Sequence, residues 1–227
     1  MNPAVCIPFR PADPERVANL ECTRKQWDSL GWPVYLGDHE GDSFCRGEAI
    51  NAAARAATDD GADVLIVCDC DFLLDSTRQA VEACETALRD GSYVVAFSFM
   101  RALGQQGTNA VRDGRRWQKT DVIENIALIW GNCFALPTDV FWRVCGFDSR
   151  FRGWGAEDIA FLVSASTMGG PKSRVTGGSF HLTHPTNEDR EMLPANNALA
   201  SRYRGADGDR EAMRLILAER GCKGDVT

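Results

Sequence analysis

Between Ala4 and Leu88 the sequence alternates short apolar runs with segments of helical period. Residues 4–9 read as a buried strand. Behind them Val17, Leu20, Trp27 and Leu30 fall near helical spacing, with Asp13-Pro14 as an N-cap and first-turn proline. Residues 33–36 form a second strand ending at Gly37-Asp38, and residues 46–57 an Ala-rich helix. Residues 63–68 then make a hydrophobic strand that runs into Asp69-Cys70-Asp71. Ser76 opens a further helix with Ala80, Val81, Cys84 and Leu88 on its core face. This order implies an α/β chain whose mostly parallel sheet is covered by helices on both faces. Ligands of such sheets collect at the C-terminal strand ends, where Arg10, Asp38, Asp69 and Asp71 all fall.

The second half is less regular. Residues 93–99 and 123–130 read as strands, 101–121 as a polar, Gly-containing stretch, and 137–145 as a short helix closed by Gly146. A helix opens at Glu157-Asp158 and stops at Gly169-Gly170, and a last one lies between Asp209 and Arg220, capped by Gly221. With no repeat or long linker, the 227 residues are expected to form one unit. No apolar run approaches the roughly 20 residues that cross a bilayer. Nine cysteines without a C-x-x-C pair argue against a structural zinc knuckle. Their odd number and the absence of a signal-peptide pattern at Met1 predict reduced thiols and a cytoplasmic location, including that of a host cell for a viral protein.

Three stretches carry chemistry. In Asp69-Cys70-Asp71 the carboxylates lie two residues apart and project to the same side as the strand ends, as hard oxygen ligands for a diphosphate-carrying cation do. Acidic pairs also end strands as simple turn or capping residues. His181-Leu182-Thr183-His184 holds two of the three histidines, and imidazole completes the coordination of ions such as Mn2+. A hydrogen-bonded histidine pair is the plain alternative. Gly153-Trp154-Gly155-Ala156-Glu157-Asp158 sets two carboxylates at the positive end of a helix, behind a tryptophan between two glycines. An N-cap explains one of those carboxylates but not the whole string.

That last string resembles the W-G-G-E-D segment of β-1,4-galactosyltransferases and related GT-A glycosyltransferases, with Ala156 in place of a glycine. Trp130-Gly131-Asn132-Cys133-Phe134 followed by Gly146-Phe147-Asp148 resembles the family's approach to it. Asp69-Cys70-Asp71 is similar to the D-x-D element, and His181-x-x-His184 stands where the family carries Met-x-x-His. The resemblance implies a GT-A, Rossmann-like fold with a nucleotide-sugar half over about 1–75, an acceptor and catalytic half over 92–190 and a helical segment over 191–227. It implies a UDP-sugar donor and Mn2+ or Mg2+, with Asp71, His184 and His181 as metal ligands and Asp69 on the ribose or metal. Asp158 is the expected base of an inverting transfer and Glu157 the partner of a sugar hydroxyl, roles that are open to exchange. Trp154 would stack under an acceptor ring, and Gly131 would admit the sugar close to the backbone. Arg10, in Pro8-Phe9-Arg10, and Asp38 would meet the uridine, and Arg46 the nucleotide or diphosphate. Each of these also reads as a surface ion-pair or cap residue.

The acceptor divides the expectations. A glycan, lipid-linked sugar or protein hydroxyl is one. A hydroxymethylated base in viral DNA is another, suggested by Arg112, Arg115, Arg116, Trp117 and Lys119 and extended by Arg143, Arg150, Arg152, Arg202 and Arg204. The net charge of −7 weighs against it. A nucleotide-sugar-binding module without catalysis and a nucleotidyltransferase are the remaining alternatives. The latter usually carries a Gly-rich loop that Arg10-Pro11-Ala12-Asp13 lacks.

Overall fold

The computed structural model describes residues 1–11, 13–41, 44–127, 129–185 and 190–222. In chain order the elements are β1 (Pro3–Pro8), α1 (Pro14–Asp28), β2 (Val34–Gly37), α2 (Arg46–Asp59), β3 (Val64–Cys68), β4 (Phe72–Leu74), α3 (Arg78–Asp90), β5 (Ser92–Val95), β6 (Phe99–Leu103), α4 (Gln105–Arg112), β7 (Val122–Ala127), β8 (Cys133–Pro137), α5 (Thr138–Arg143), α6 (Glu157–Met168), β9 (Gly170–Arg174), β10 (Gly178–His181), α7 (Leu193–Gly205) and α8 (Arg210–Ala218). A larger sheet runs β2-β1-β3-β8-β5-β9 and a smaller one β4-β10-β6-β7.

The first half follows the expected alternation. Asp13 caps α1 by accepting from Glu15 N at 2.7 Å ahead of Pro14. β1 pairs in parallel with both β2 and β3. All residues of β1, β3, β5 and β8 are buried, as strands covered on both faces require. Phe134, Phe141, Phe147 and Phe161 close the core beneath α5 and α6, with Phe147 and Phe161 stacked at 4.1 Å between centroids.

The second half corrects several expectations. The larger sheet is mostly parallel, as expected, but β8 runs against the rest, antiparallel to both β3 and β5. Residues 93–99 are not one strand: β5 ends at Val95 in the larger sheet and β6 begins at Phe99 in the smaller, and an apolar run does not reveal a change of sheet. The polar stretch 101–121 contains the end of β6 and all of α4, whose buried face is Gly107, Thr108 and Ala110 rather than large aliphatic residues. The strand expected over 123–130 ends at Ala127, and Leu128 lies outside the described residues. β4, β8 and β9 have no counterpart in the sequence reading, α7 and α8 fall in the helical segment expected over 191–227, and residues 223–227 of that segment lie outside the description. Cys145 and Cys222 are joined as a disulfide, against the expectation of reduced thiols throughout, while the other seven cysteines are free and buried. No helix among the described residues is long and apolar enough to cross a membrane.

Candidate active site

The smaller sheet assembles the first cluster. β10 pairs antiparallel with β4 so that His181 stands opposite Phe72, and Leu182 N donates to Asp71 O at 2.8 Å. That register brings His181 Nε2 to 3.3 Å from Asp71 Oδ1 and His184 Nε2 to 3.1 Å from Asp71 Oδ2. One ligand atom from each of the three residues lies within 4.8 Å of the others. Burial alone would raise the Asp71 carboxyl, but the two imidazoles overcome it and hold its pKa well below the ordinary range. Burial likewise opposes the His181 imidazolium, and the Asp71 charge overrides it, so that pKa lies above its usual value. One buried carboxylate and two half-buried imidazoles form a donor set that fits a borderline divalent ion such as Mn2+.

The second cluster forms where β3, the approach to β8 and the start of α6 meet. Arg46, in the first turn of α2, donates from Nε to Asp69 Oδ1 at 2.8 Å and from Nη1 to Asp158 Oδ1 at 2.6 Å, with Glu157 Oε1 at 3.8 Å. Asn132, held at φ 65°, donates to Asp69 Oδ2 at 3.2 Å. One guanidinium therefore ties the D-x-D turn to both carboxylates of α6. Burial first, and then the Asp158 charge, push the Glu157 carboxyl up to about 7. Burial also raises Asp69, against the pull of Arg46. The side chain of Asp158 remains 34% exposed, more open than that of Glu157 at 15%.

The loop before α6 is held from behind. Asn51 accepts from Phe147 N at 2.8 Å and donates to Phe147 O at 2.9 Å, while Asn196 on α7 donates to Arg152 O at 2.8 Å. Trp154 stays 46% exposed at the rim, with the Arg190 guanidinium 4.9 Å above its ring. Ala156, standing where the resemblance has glycine, adopts φ 73°.

Arg10 and Asp38 come together with each other. Arg10 Nε donates to Asp38 Oδ1 at 2.9 Å, Nη1 to Gly41 O at 2.9 Å and Nη2 to His39 O, so Arg10 shapes the loop after β2. Gly131 leaves to the Asp158 carboxylate the space that a β-carbon would fill. Arg46, expected on the nucleotide, spends its hydrogen bonds on Asp69 and Asp158.

Six of the eight arginines expected to face DNA are engaged with carboxylates. Arg112 pairs with Glu15 and donates to Asn19 Oδ1, fastening α4 to α1. Arg115 pairs with Asp113, Arg143 with Asp139, Arg150 with Asp148 and Glu219, Arg152 with Glu48, and Arg202 with Glu219. Trp117 packs on Phe180 beneath Arg101. This paired surface does not support a nucleic-acid acceptor.

The sequence reading missed Arg16, Asn51, Asn132 and Asn196. Asn51, five residues after Arg46 in the same helix, and Asn132, within Trp130-Gly131-Asn132-Cys133-Phe134, carried a signal. The others act through contacts that only the folded chain creates.

Residues 115–185, which include Gly131, Glu157, Asp158 and both clustered histidines, match a family model described as the N-terminal domain of galactosyltransferase. No curated protein matches the chain. Among solved structures, S. aureus TarS 1–349 in complex with UDP-GlcNAc is similar with a TM-score of 0.54 and 14% identity, over 96% of this chain and 71% of that one. The mannosyltransferase PcManGT from Pyrobaculum calidifontis, in complex with GDP-Man and Mn2+, gives 0.53 and 14% over 96% and 68%. The catalytic domain of Drosophila β1,4-galactosyltransferase 7, in complex with xylobiose, gives 0.48 and 16% over 84% and 79%. Whole-chain likeness and matched segment agree: the protein has the α/β GT-A glycosyltransferase fold.

Proposed function

We propose that the protein is a metal-dependent, inverting glycosyltransferase that moves a sugar from a UDP-sugar to a hydroxyl of a glycan, lipid-linked sugar or protein. The observation that carries this reading is the continuity between the two clusters. Asp69 and Asp71 flank a single turn, and Arg46 joins Asp69 to Asp158 at 2.8 and 2.6 Å. Asp71, His181 and His184 would hold the ion, which when bound supplies positive charge to the departing diphosphate.

In the transfer, the acceptor oxygen bonds to the anomeric carbon as the bond from that carbon to the diphosphate oxygen breaks, and the bonding pair stays on that oxygen. The acceptor proton passes to Asp158 Oδ2, because Oδ1 is held by Arg46. Glu157, raised to about 7, retains a proton over part of the neutral range and donates it in a hydrogen bond to a sugar hydroxyl. The exposed Trp154 ring offers the acceptor an apolar face. Arg10 and Asp38 present the loop after β2 to the base.

The test is release of nucleoside diphosphate from UDP-Gal, UDP-Glc, UDP-GlcNAc and GDP-Man with Mn2+ and a panel of saccharide acceptors. Asp158→Asn is expected to abolish turnover with donor affinity retained. Full turnover in that variant removes Asp158 from the role of base. Donor binding without release under any acceptor favours a binding module instead.

A further inference from the structure

We infer that Arg16 is a diphosphate-binding residue, set beside the proposed cation site and directed to the phosphates by the charge of a dication held there. The inference rests on the dication reading proposed above. Arg16 lies in the first turn of α1, and its Nη2 stands 3.7 Å from Asp71 Oδ2 and 3.4 Å from His184 Nε2. Its guanidinium thus touches two of the three residues of the cation site from outside the triad. The side chain is 38% exposed, yet its Nε is buried and has no hydrogen-bond partner among the described residues. A buried donor left unsatisfied is costly, and a guanidinium offers five donors in a planar fork suited to phosphate oxygens.

A role in fastening α1 does not account for the arrangement. Asn19 donates to Thr183 O at 3.2 Å, Thr23 donates to Cys70 O at 2.9 Å, and Arg112 binds Glu15 and Asn19. α1 is therefore tied to both chain segments that carry the cation-site residues without Arg16.

The charges decide the rest. Among the described residues Arg16 is the one fixed positive charge beside Asp71, whose other polar neighbours are the two imidazoles and the Cys70 thiol. A dication held by Asp71 takes its anionic partner and repels the guanidinium at close range. The nearest anion is then the diphosphate that the same dication carries. As the anomeric carbon–oxygen bond breaks, its electron pair adds one negative charge to the β-phosphoryl oxygen, which Arg16 is placed to neutralise.

The experiment is calorimetric titration of wild type, Arg16→Met and Arg16→Lys, first with Mn2+ alone and then with UDP at saturating Mn2+. Arg16→Met is expected to bind Mn2+ alone about threefold to tenfold more tightly, because a competing cation has gone. It is expected to bind UDP at least about tenfold more weakly, the size of a lost charge-assisted hydrogen bond. Arg16→Lys keeps the charge but not the fork, so it should hold Mn2+ like wild type and UDP with intermediate affinity. It also carries the test if the Met variant fails to fold by circular dichroism. Unchanged UDP affinity in a folded Arg16→Met protein, or weakened Mn2+ binding, overturns the inference while leaving the dication reading intact. Failure of the wild type to take up Mn2+ overturns the dication reading, and this inference with it.

Discussion

A β-carbon on residue 131 would lie 2.5 Å from Asp158 Oδ2 and 3.0 Å from its Cγ. Gly131 is therefore the floor on which the candidate base rests, and any side chain there must push the carboxylate aside. Because Arg46 fixes the other oxygen at 2.6 Å, the carboxylate has little room to yield without breaking that pair. Gly131→Ala is expected to lower kcat about 100-fold, the scale of a misplacement near 1 Å at a reacting group, with little change in donor affinity. Steady-state kinetics and UDP titration check this. A normal kcat would mean that the carboxylate moves freely and that the contact is incidental.

Glu157 makes stability depend on pH in a direction opposite to that of an ordinary paired carboxylate. Its pKa is pushed up to about 7 by burial and by Asp158, above the reference value of 4.5. Below the unfolded pKa both states are protonated and the favourable contribution is fully present. As pH rises through the folded pKa it is lost, because the folded state must then ionise a buried acid. Glu157→Gln keeps the shape and hydrogen-bonding reach without the charge. At pH 8 it should be more stable than wild type by on the order of 2 kcal/mol, and at pH 4 the gap should close. Urea unfolding at the two pH values measures both, and a gap independent of pH would refute the assignment.

What was legible in the sequence follows from which interactions are local. The strand ends bearing Asp69 and Asp71, and the helix start bearing Glu157 and Asp158, are set by short-range patterning, so their positions were readable along the chain. Arg46 was readable as a polar residue opening a helix, but not as the guanidinium shared between Asp69 and Asp158, residues 23 and 112 positions away. Arg10 and Asp38 pair with each other for the same reason: they end adjacent parallel strands, and sequence shows the ends but not the adjacency. α4 stayed hidden because Gly107, Thr108 and Ala110 form its buried face, so hydrophobic period carries little information there. Arg16 meets His184 across 168 residues of chain, a contact no motif encodes.

Ala156 sits in the left-handed region at φ 73°, immediately before α6. An L-residue there costs roughly 1–2 kcal/mol, and glycine gives back about 0.5–1 kcal/mol through its greater freedom when unfolded. Ala156→Gly is therefore expected to stabilise the protein by about 0.5–1 kcal/mol, with turnover preserved because Glu157 and Asp158 keep their helix start. Thermal and urea unfolding test the sign. Destabilisation would show that the Ala156 methyl, which packs against the core, outweighs the backbone strain.

His184 is the cluster member whose loss separates metal binding from folding. It follows β10, and the backbone of its neighbours is anchored independently: Thr183 N donates to Thr108 Oγ1 at 2.9 Å, and Thr183 O accepts from Asn19. Removing the imidazole therefore leaves the turn in place while taking away the group 3.1 Å from Asp71 Oδ2. His184→Ala is expected to weaken Mn2+ binding by at least about tenfold, to shift the Mn2+ dependence of turnover upward, and to regain part of its activity at high Mn2+. Chelation should abolish turnover of both proteins, with recovery on Mn2+ addition at a higher concentration for the variant. Titration of Mn2+ against each protein, read by calorimetry and by product release, decides the matter. Equal affinities would place the ion elsewhere and dissolve the assignment of Asp71, His181 and His184 as its ligands.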